Sequence, residues 1–364
     1  MPLKAVLERE HTYKGRLAHY AEEYGWCFCV GAGVSCGMFR DWSDLAEGLV
    51  REVLPNLKPT DIKTFGDAQR PEALIQAAVN LGDGKSNRII LAKLSEFFFS
   101  GLRTKAGQDW PIVARALTAS RPKSLTPDEW RVFLNFVSDY KDATAPAIAE
   151  VIVEAFEKDR APASIISFNA EPLLYALINC HYALRNTKLV AENNPKILDR
   201  LSNDLSRPKK GRIPYYYVHG LLPVPDGRER FNRSISPEKL VFSEIQYLEL
   251  TRTAYSWQSA SFMSECMKRK CVFAGLSFTD PNQRRWLAWE HSGRTSERMS
   301  KNKREYPSHY WLLKRPHPKH ANLSDYQILV SKSVEHLGVR IRWIDGWASL
   351  AETLREMLDL QPKS

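Results

Sequence analysis

The chain has 364 residues, 43% of them apolar and 26% charged, with a net charge of +10. That is ample material for a sizeable core, with the charge content of an ordinary soluble globular protein, and the length predicts about two domains. No run approaches the ~18 apolar residues a membrane helix needs. The polar start, residues 1–25, has no apolar stretch before a cleavage site, so no signal peptide is expected and the protein is read as cytoplasmic.

In chain order, residues 1–25 predict an amphipathic lead helix. Trp26-Cys-Phe-Cys-Val30 is a short apolar run ending in Gly-Ala-Gly, the pattern of a buried strand entering a tight turn. Trp42, Leu45, Ala46, Leu49, Val50 and Val53 then recur at helical spacing and predict a helix over about 42–54. Residues 59–160 read as a helical insert, with breaks at Gly82–Gly84, Gly101–Gly107 and Arg121-Pro122. Strands are predicted at Ala163–Phe168, Pro214–Val218, Lys239–Phe242, Cys271–Ala274, His309–Leu313 and Val339–Trp343. The polar stretch 185–212 reads as an irregular surface excursion, and 351–364 as a C-terminal helix and tail. Strands alternating with helices imply an α/β fold: a mostly parallel sheet with helices on both faces, formed by 26–58 and 161–350, plus the inserted helical subdomain.

Four motifs follow predicted strands. Val30-Gly-Ala-Gly-Val-Ser35 offers backbone N–H groups, the Ser35 hydroxyl and the close approach of Gly31 and Gly33 that a pyrophosphate needs. It also fits a plain tight turn. Ser167-Phe-Asn-Ala-Glu171 brings the neutral Asn169 amide to a strand end, where it could hold water or a ribose hydroxyl; a helix cap is the alternative. Tyr217-Val-His-Gly220 exposes an imidazole suited to proton transfer near neutral pH, although a lone histidine is often structural. Phe273-Ala-Gly-Leu-Ser-Phe-Thr-Asp-Pro-Asn282 is a strand, a glycine turn and a capped helix start. Each is ambiguous alone; four in order at strand ends converge on one cleft.

The six cysteines, Cys27, Cys29, Cys36, Cys180, Cys266 and Cys271, form no CxxC pair. A zinc ribbon is therefore excluded, no metal is expected, and Cys27 and Cys29 read as buried small hydrophobes. Basic clusters at Arg207–Arg212, Lys268–Lys270 and Lys301–Arg304 could attract nucleic acid or an acidic protein, or could be solvated loops.

The ordered set of motifs resembles the SIR2-like (sirtuin-related) family over residues 26–290. The resemblance implies a Rossmann-like NAD-binding fold. It implies that Gly31, Ala32, Gly33 and Ser35 hold the NAD diphosphate and that Asn169 and His219 are catalytic. Gly275 and Ser277 would contact the adenosine side. Where the family often has Asp two residues after the motif Asn, this chain has Glu171, which keeps the charge and lengthens the reach. Leu240–Tyr247 resembles the stretch before the last nucleotide turn in bacterial members. The missing CxxC pairs and the long spacing between Gly33 and Asn169 resemble the bacterial defence-associated branch. That branch implies an NAD+ hydrolase yielding nicotinamide and ADP-ribose or its cyclic form. It further implies a gated antiphage effector, homo-oligomeric and controlled by a separate sensor such as an ATPase/helicase-like or Argonaute-like protein. The competing readings are a non-catalytic NAD- or ADP-ribose-binding subunit, an NAD-dependent protein deacylase, and a nucleic-acid-binding module.

Overall fold

A computed structural model describes residues 16–81, 87–193, 195–201, 209–236, 240–252, 256–299, 309–316 and 323–360. Its centre is one seven-stranded sheet, in the order β3-β4-β2-β1-β5-β6-β7, with every pairing parallel. The strands are β1 (Trp26–Val30), β2 (Ser164–Ser167), β3 (Leu198–Leu201), β4 (Ile213–Tyr217), β5 (Lys270–Ala274), β6 (His309–Lys314) and β7 (Val339–Ile344). β1 is central: Cys27 pairs with Ser164 on one side and with Cys271 on the other. From β1 the chain adds β2, the edge strand β3 and then β4 between them on one side, and returns to add β5, β6 and β7 in turn on the other. Strand order therefore reverses at β1, which opens a crevice beyond the carboxyl ends of the central strands.

The helices are α1 (Arg16–Glu23), α2 (Trp42–Val53), α3 (Pro59–Ala68), α4 (Pro71–Leu81), α5 (Asn87–Ala106), α6 (Trp110–Leu117), α7 (Pro127–Ser138) and α8 (Ala145–Glu157). They continue with α9 (Leu173–Arg185), α10 (Thr187–Asn193), α11 (Glu229–Arg233), α12 (Glu244–Arg252), α13 (Trp257–Lys268), α14 (Pro281–Met299), α15 (Leu323–Glu335) and α16 (Leu350–Met357). Their starts are written locally. Asp41 caps α2 by accepting from the Asp44 amide at 2.8 Å, and Thr126 and Glu129 form a reciprocal capping box before Pro127 of α7.

Period-2 alternation divides the sheet between two cores. Trp26, Phe28, Val30, Ile165, Tyr215, Tyr217, Val272 and Ala274 face one core, shared with α2 to α9 and α16. Cys27, Cys29, Ile166, Phe168, Tyr216, Cys271 and Phe273 face the other, covered by Phe262 and Cys266 of α13, Trp286 and Leu287 of α14 and Val334 of α15. α9 is buried almost all round because it lies between the sheet and the outer helices α7 and α8.

Several expected elements differ. Residues 185–212 are not all irregular: they hold α10 and the edge strand β3, whose Leu-Asp-Arg-Leu sequence is too short and charged to read as a strand. Leu240–Phe242 is buried but irregular, since β4 already has β2 and β3 on its two sides; the Val241 amide donates to the His219 carbonyl at 3.0 Å and the Phe242 amide to Gln246 Oε1 at 2.8 Å. α5 runs through Gly101 and stops only at Gly107, where φ is +52°. The Lys268–Lys270 cluster is not an open patch: Arg269 pairs with Glu265 at 2.6 Å, and buried Lys270 lies over the Tyr20 ring. Lys301–Arg304, Arg207-Pro208, Gly82–Gly84, the first part of the lead helix and the last four residues of the tail lie outside the described residues. Among the described residues, no helix is long and apolar enough to cross a membrane.

Candidate active site

The four motifs follow β1, β2, β4 and β5, which are neighbours in the order β4-β2-β1-β5. Their turns therefore meet at one end of the sheet, although up to 244 positions separate Gly31 from Gly275 along the chain. The first and last turns interlock. The Gly31 amide donates to the Ala274 carbonyl and the Gly33 amide to the Gly275 carbonyl, both at 3.0 Å. A Cβ on Gly31 would sit 2.5 Å from the Gly275 oxygen, and one on Gly275, where φ is +66°, 2.6 Å from the Val34 nitrogen. These glycines are thus required by the approach of two backbones to each other. Ala32 and Gly33 remain exposed at the mouth, as does Ser277, whose hydroxyl lies 2.7 Å from that of Thr279.

Behind the mouth is a buried carboxylate. Glu171 accepts from the Ser35 hydroxyl (3.0 Å), from Asn169 Nδ2 (2.9 Å) and from the Leu173 amide. Burial pushes its carboxyl up to about 7, against the opposing pull of those three bonds. Glu171 thereby ties the first motif to the second and fixes the Asn169 amide. With Nδ2 engaged, Asn169 Oδ1 is buried without a hydrogen-bond partner among the described residues.

His219 follows β4, on Gly220 with φ +80°. Its ring packs edge-on against Phe168 and Tyr247, with centroids 5.3 and 5.6 Å apart. Nε2 has no hydrogen-bond partner among the described residues and lies 3.6 Å from Asp280 Oδ2. Burial lowers the imidazole's proton affinity, partly offset by the Asp280 charge and a hydrogen bond with the Phe168 backbone. Since Nε2 is unpartnered, Nδ1 makes that backbone bond, leaving the Nε2 lone pair free in the neutral ring.

Three participants were not singled out from sequence. Asp280 reads as a helix cap, and Oδ1 does accept from the Asn282 amide at 2.8 Å; its other oxygen faces His219. Tyr247 belongs to a stretch read only for its resemblance. Asn282 is 1% exposed, reaches the Tyr247 carbonyl with Nδ2 at 3.5 Å, and leaves Oδ1 without a hydrogen-bond partner among the described residues. The signal was present as polar residues clustered in Asp280-Pro281-Asn282. Asn169, His219, Asp280 and Asn282 each bury a polar atom without a hydrogen-bond partner among the described residues. Such atoms are costly unless a ligand or water meets them, which makes this end of the sheet the candidate site.

The model of a SIR2-like domain family matches residues 151–336, just over half of the chain, and spans the Asn169, His219 and Gly275 motifs. The Gly31–Ser35 turn precedes the match but packs directly on Gly275 within it. No curated protein matches the chain.

Proposed function

Because this chain belongs to the SIR2-like domain family, we propose that it hydrolyses NAD+ at the nicotinamide–ribose bond, releasing nicotinamide and ADP-ribose or its cyclic form. The observation that carries this reading is the pairing of Asn169 and His219 on adjacent strand ends. Each is buried, and each leaves a polar atom without a hydrogen-bond partner among the described residues. The exposure gradient matches the substrate. The diphosphate would sit against the exposed turn at Ala32 and Gly33, with the Ser35 hydroxyl behind it. The adenosine would lie toward Gly275 and Ser277, and the nicotinamide riboside would reach inward.

The nicotinamide ring of NAD+ is already cationic and departs neutral with the C–N electron pair, so its departure needs little acid assistance, and the transition state is oxocarbenium-like. Asn169 Oδ1 accepts a hydrogen bond from the attacking water or a ribose hydroxyl, with Glu171 holding the amide in place. His219 Nε2 takes the proton as the new C–O bond forms. Asp280, 3.6 Å away, then stabilises the imidazolium. This chemistry assigns no role to a metal.

An unrestrained NAD+ hydrolase would kill its own cell. We therefore read this chain as the gated effector of an antiphage system, acting as a homo-oligomer under a separate ATPase/helicase-like or Argonaute-like sensor. The aromatic cover of Phe168 and Tyr247 over His219 supports gating.

The test is NAD+ consumption by the purified protein, with and without the product of a neighbouring gene. Nicotinamide and ADP-ribose would be read by chromatography, with Asn169→Ala and His219→Ala in parallel. NAD+ loss abolished in both variants is expected. Undiminished turnover by His219→Ala would sink the assignment.

A further inference from the structure

Four cysteines that lie apart in the sequence gather on the thinner face of the sheet. Cys27 and Cys29 are two residues apart on β1, a backbone separation of about 6.7 Å in an extended strand. Their sulfurs are nevertheless only 3.8 Å apart, so both side chains lean toward one point. Cys271 on β5 is the register partner of Cys27, and the sulfurs of Cys27, Cys29 and Cys271 all lie within 4.8 Å of one another. Cys266, in the last turn of α13, brings a fourth sulfur to 3.5 Å from that of Cys271. All four side chains are fully buried.

We propose that Cys27, Cys29 and Cys271 form a three-thiolate structural site for one zinc ion, which Cys266, now in contact with Cys271 but grouped apart from Cys27 and Cys29, turns inward to close as fourth donor. Thiolates about 2.3 Å from a tetrahedral zinc stand about 3.8 Å from each other, the separation found between Cys27 and Cys29. Loading exchanges thiol protons for the metal and releases them to solvent. His309 is the other nearby donor, within 4.8 Å of Cys266 and Cys271. Its Nδ1 already accepts the Cys271 amide at 3.0 Å, and its Nε2 faces Arg294 and Glu290, so it steadies the Cys271 backbone instead. The ion would clamp β1 to β5, the two strands whose following turns interlock through Gly31, Gly33 and Gly275. This site differs from a ribbon of CxxC pairs: its ligands come from two strands and a helix, which explains why spacing along the chain hides it.

The test is elemental mass spectrometry on the full-length protein, purified without chelator from zinc-supplemented cells. About one zinc per chain is expected in the wild type and in Cys36→Ser and Cys180→Ser, falling below about a tenth in Cys27→Ser and Cys271→Ser. Because serine in this core could itself impair folding, the wild type is also produced with cobalt in place of zinc. Tetrahedral thiolate–cobalt absorption bands are expected. A wild-type protein without zinc and without those bands would overturn the site. Copper or iron in zinc's place would overturn the choice of ion, and zinc retained by both variants would overturn the ligand set.

Discussion

The two faces of the sheet use alternate residues of the same strands and bury different things. One face presents Trp26, Phe28, Tyr215 and Tyr217 to a core that continues through α2 to α9. The other presents Cys27, Cys29, Cys271 and Phe168 to a thinner layer of α13, α14 and α15. Phe168 also touches His219, so the second face grades into the site while the first holds the fold. A sheet can thus separate stability from chemistry by one residue of register, because a strand's neighbours in sequence point to opposite sides.

The largest effect should arise where the second face meets the site. His219→Ala is expected to lower NAD+ turnover about 10²–10⁴-fold while leaving the thermal midpoint within a few degrees, measured by product chromatography and calorimetry. A variant that also unfolds would break the separation. On the opposite face, Phe28→Ala should cost about 3–5 kcal/mol in urea unfolding and leave the metal content unchanged. Its neighbour Cys29→Ala sharpens the contrast. Its destabilisation should shrink to about 1 kcal/mol when wild type and variant are compared in chelator, since only a small buried group is then lost.

Smaller effects test the seam between the first and last turns. Gly275→Ala is expected to cost about 1–3 kcal/mol and to weaken NAD+ binding, read by calorimetric titration, because a Cβ there meets Val34 at a positive φ. The smallest effect concerns pH. The folded state holds the Glu171 carboxyl near 7, above its usual 4.5. Its stabilising contribution is therefore complete below about 4.5 and is lost as pH rises through about 7. Glu171→Gln should flatten that part of the thermal-midpoint profile. Activity should run the other way. The ionised carboxylate offers acceptors to Ser35, Asn169 and Leu173, so turnover should rise through pH 7 in the wild type and lose that limb in Glu171→Gln. An unchanged profile would remove Glu171 as the group that orients Asn169.

The parts legible in the sequence were those written locally. An apolar run followed by a glycine turn reports a strand end, so β1, β2, β4 and β5 and their turns could be read, and with them the parallel sheet. β3 could not, because Asp199 and Arg200 interrupt a four-residue strand. Lys239–Phe242 misled in the opposite direction: its apolar residues are buried beside His219 without joining the sheet. Asp280 carried two roles on its two oxygens, and only the cap is visible from Pro281. The cysteine cluster depends on the pairing of β1 with β5, a contact between residues far apart that no local spacing encodes.

The central position of β1 also bears on how the protein comes into being. Residues 26–30 leave the ribosome early, yet their two partner strands are 164–167 and 270–274. A nascent chain must therefore carry a wholly apolar strand with no partner until residue 167 has been made, and with one edge still open until residue 274 has. Contacts of such long range slow folding and leave strand edges open meanwhile. The same delay means that the crevice between the β1 and β5 turns cannot form until β5 has been made, so whatever the site does must wait for residues 270–275.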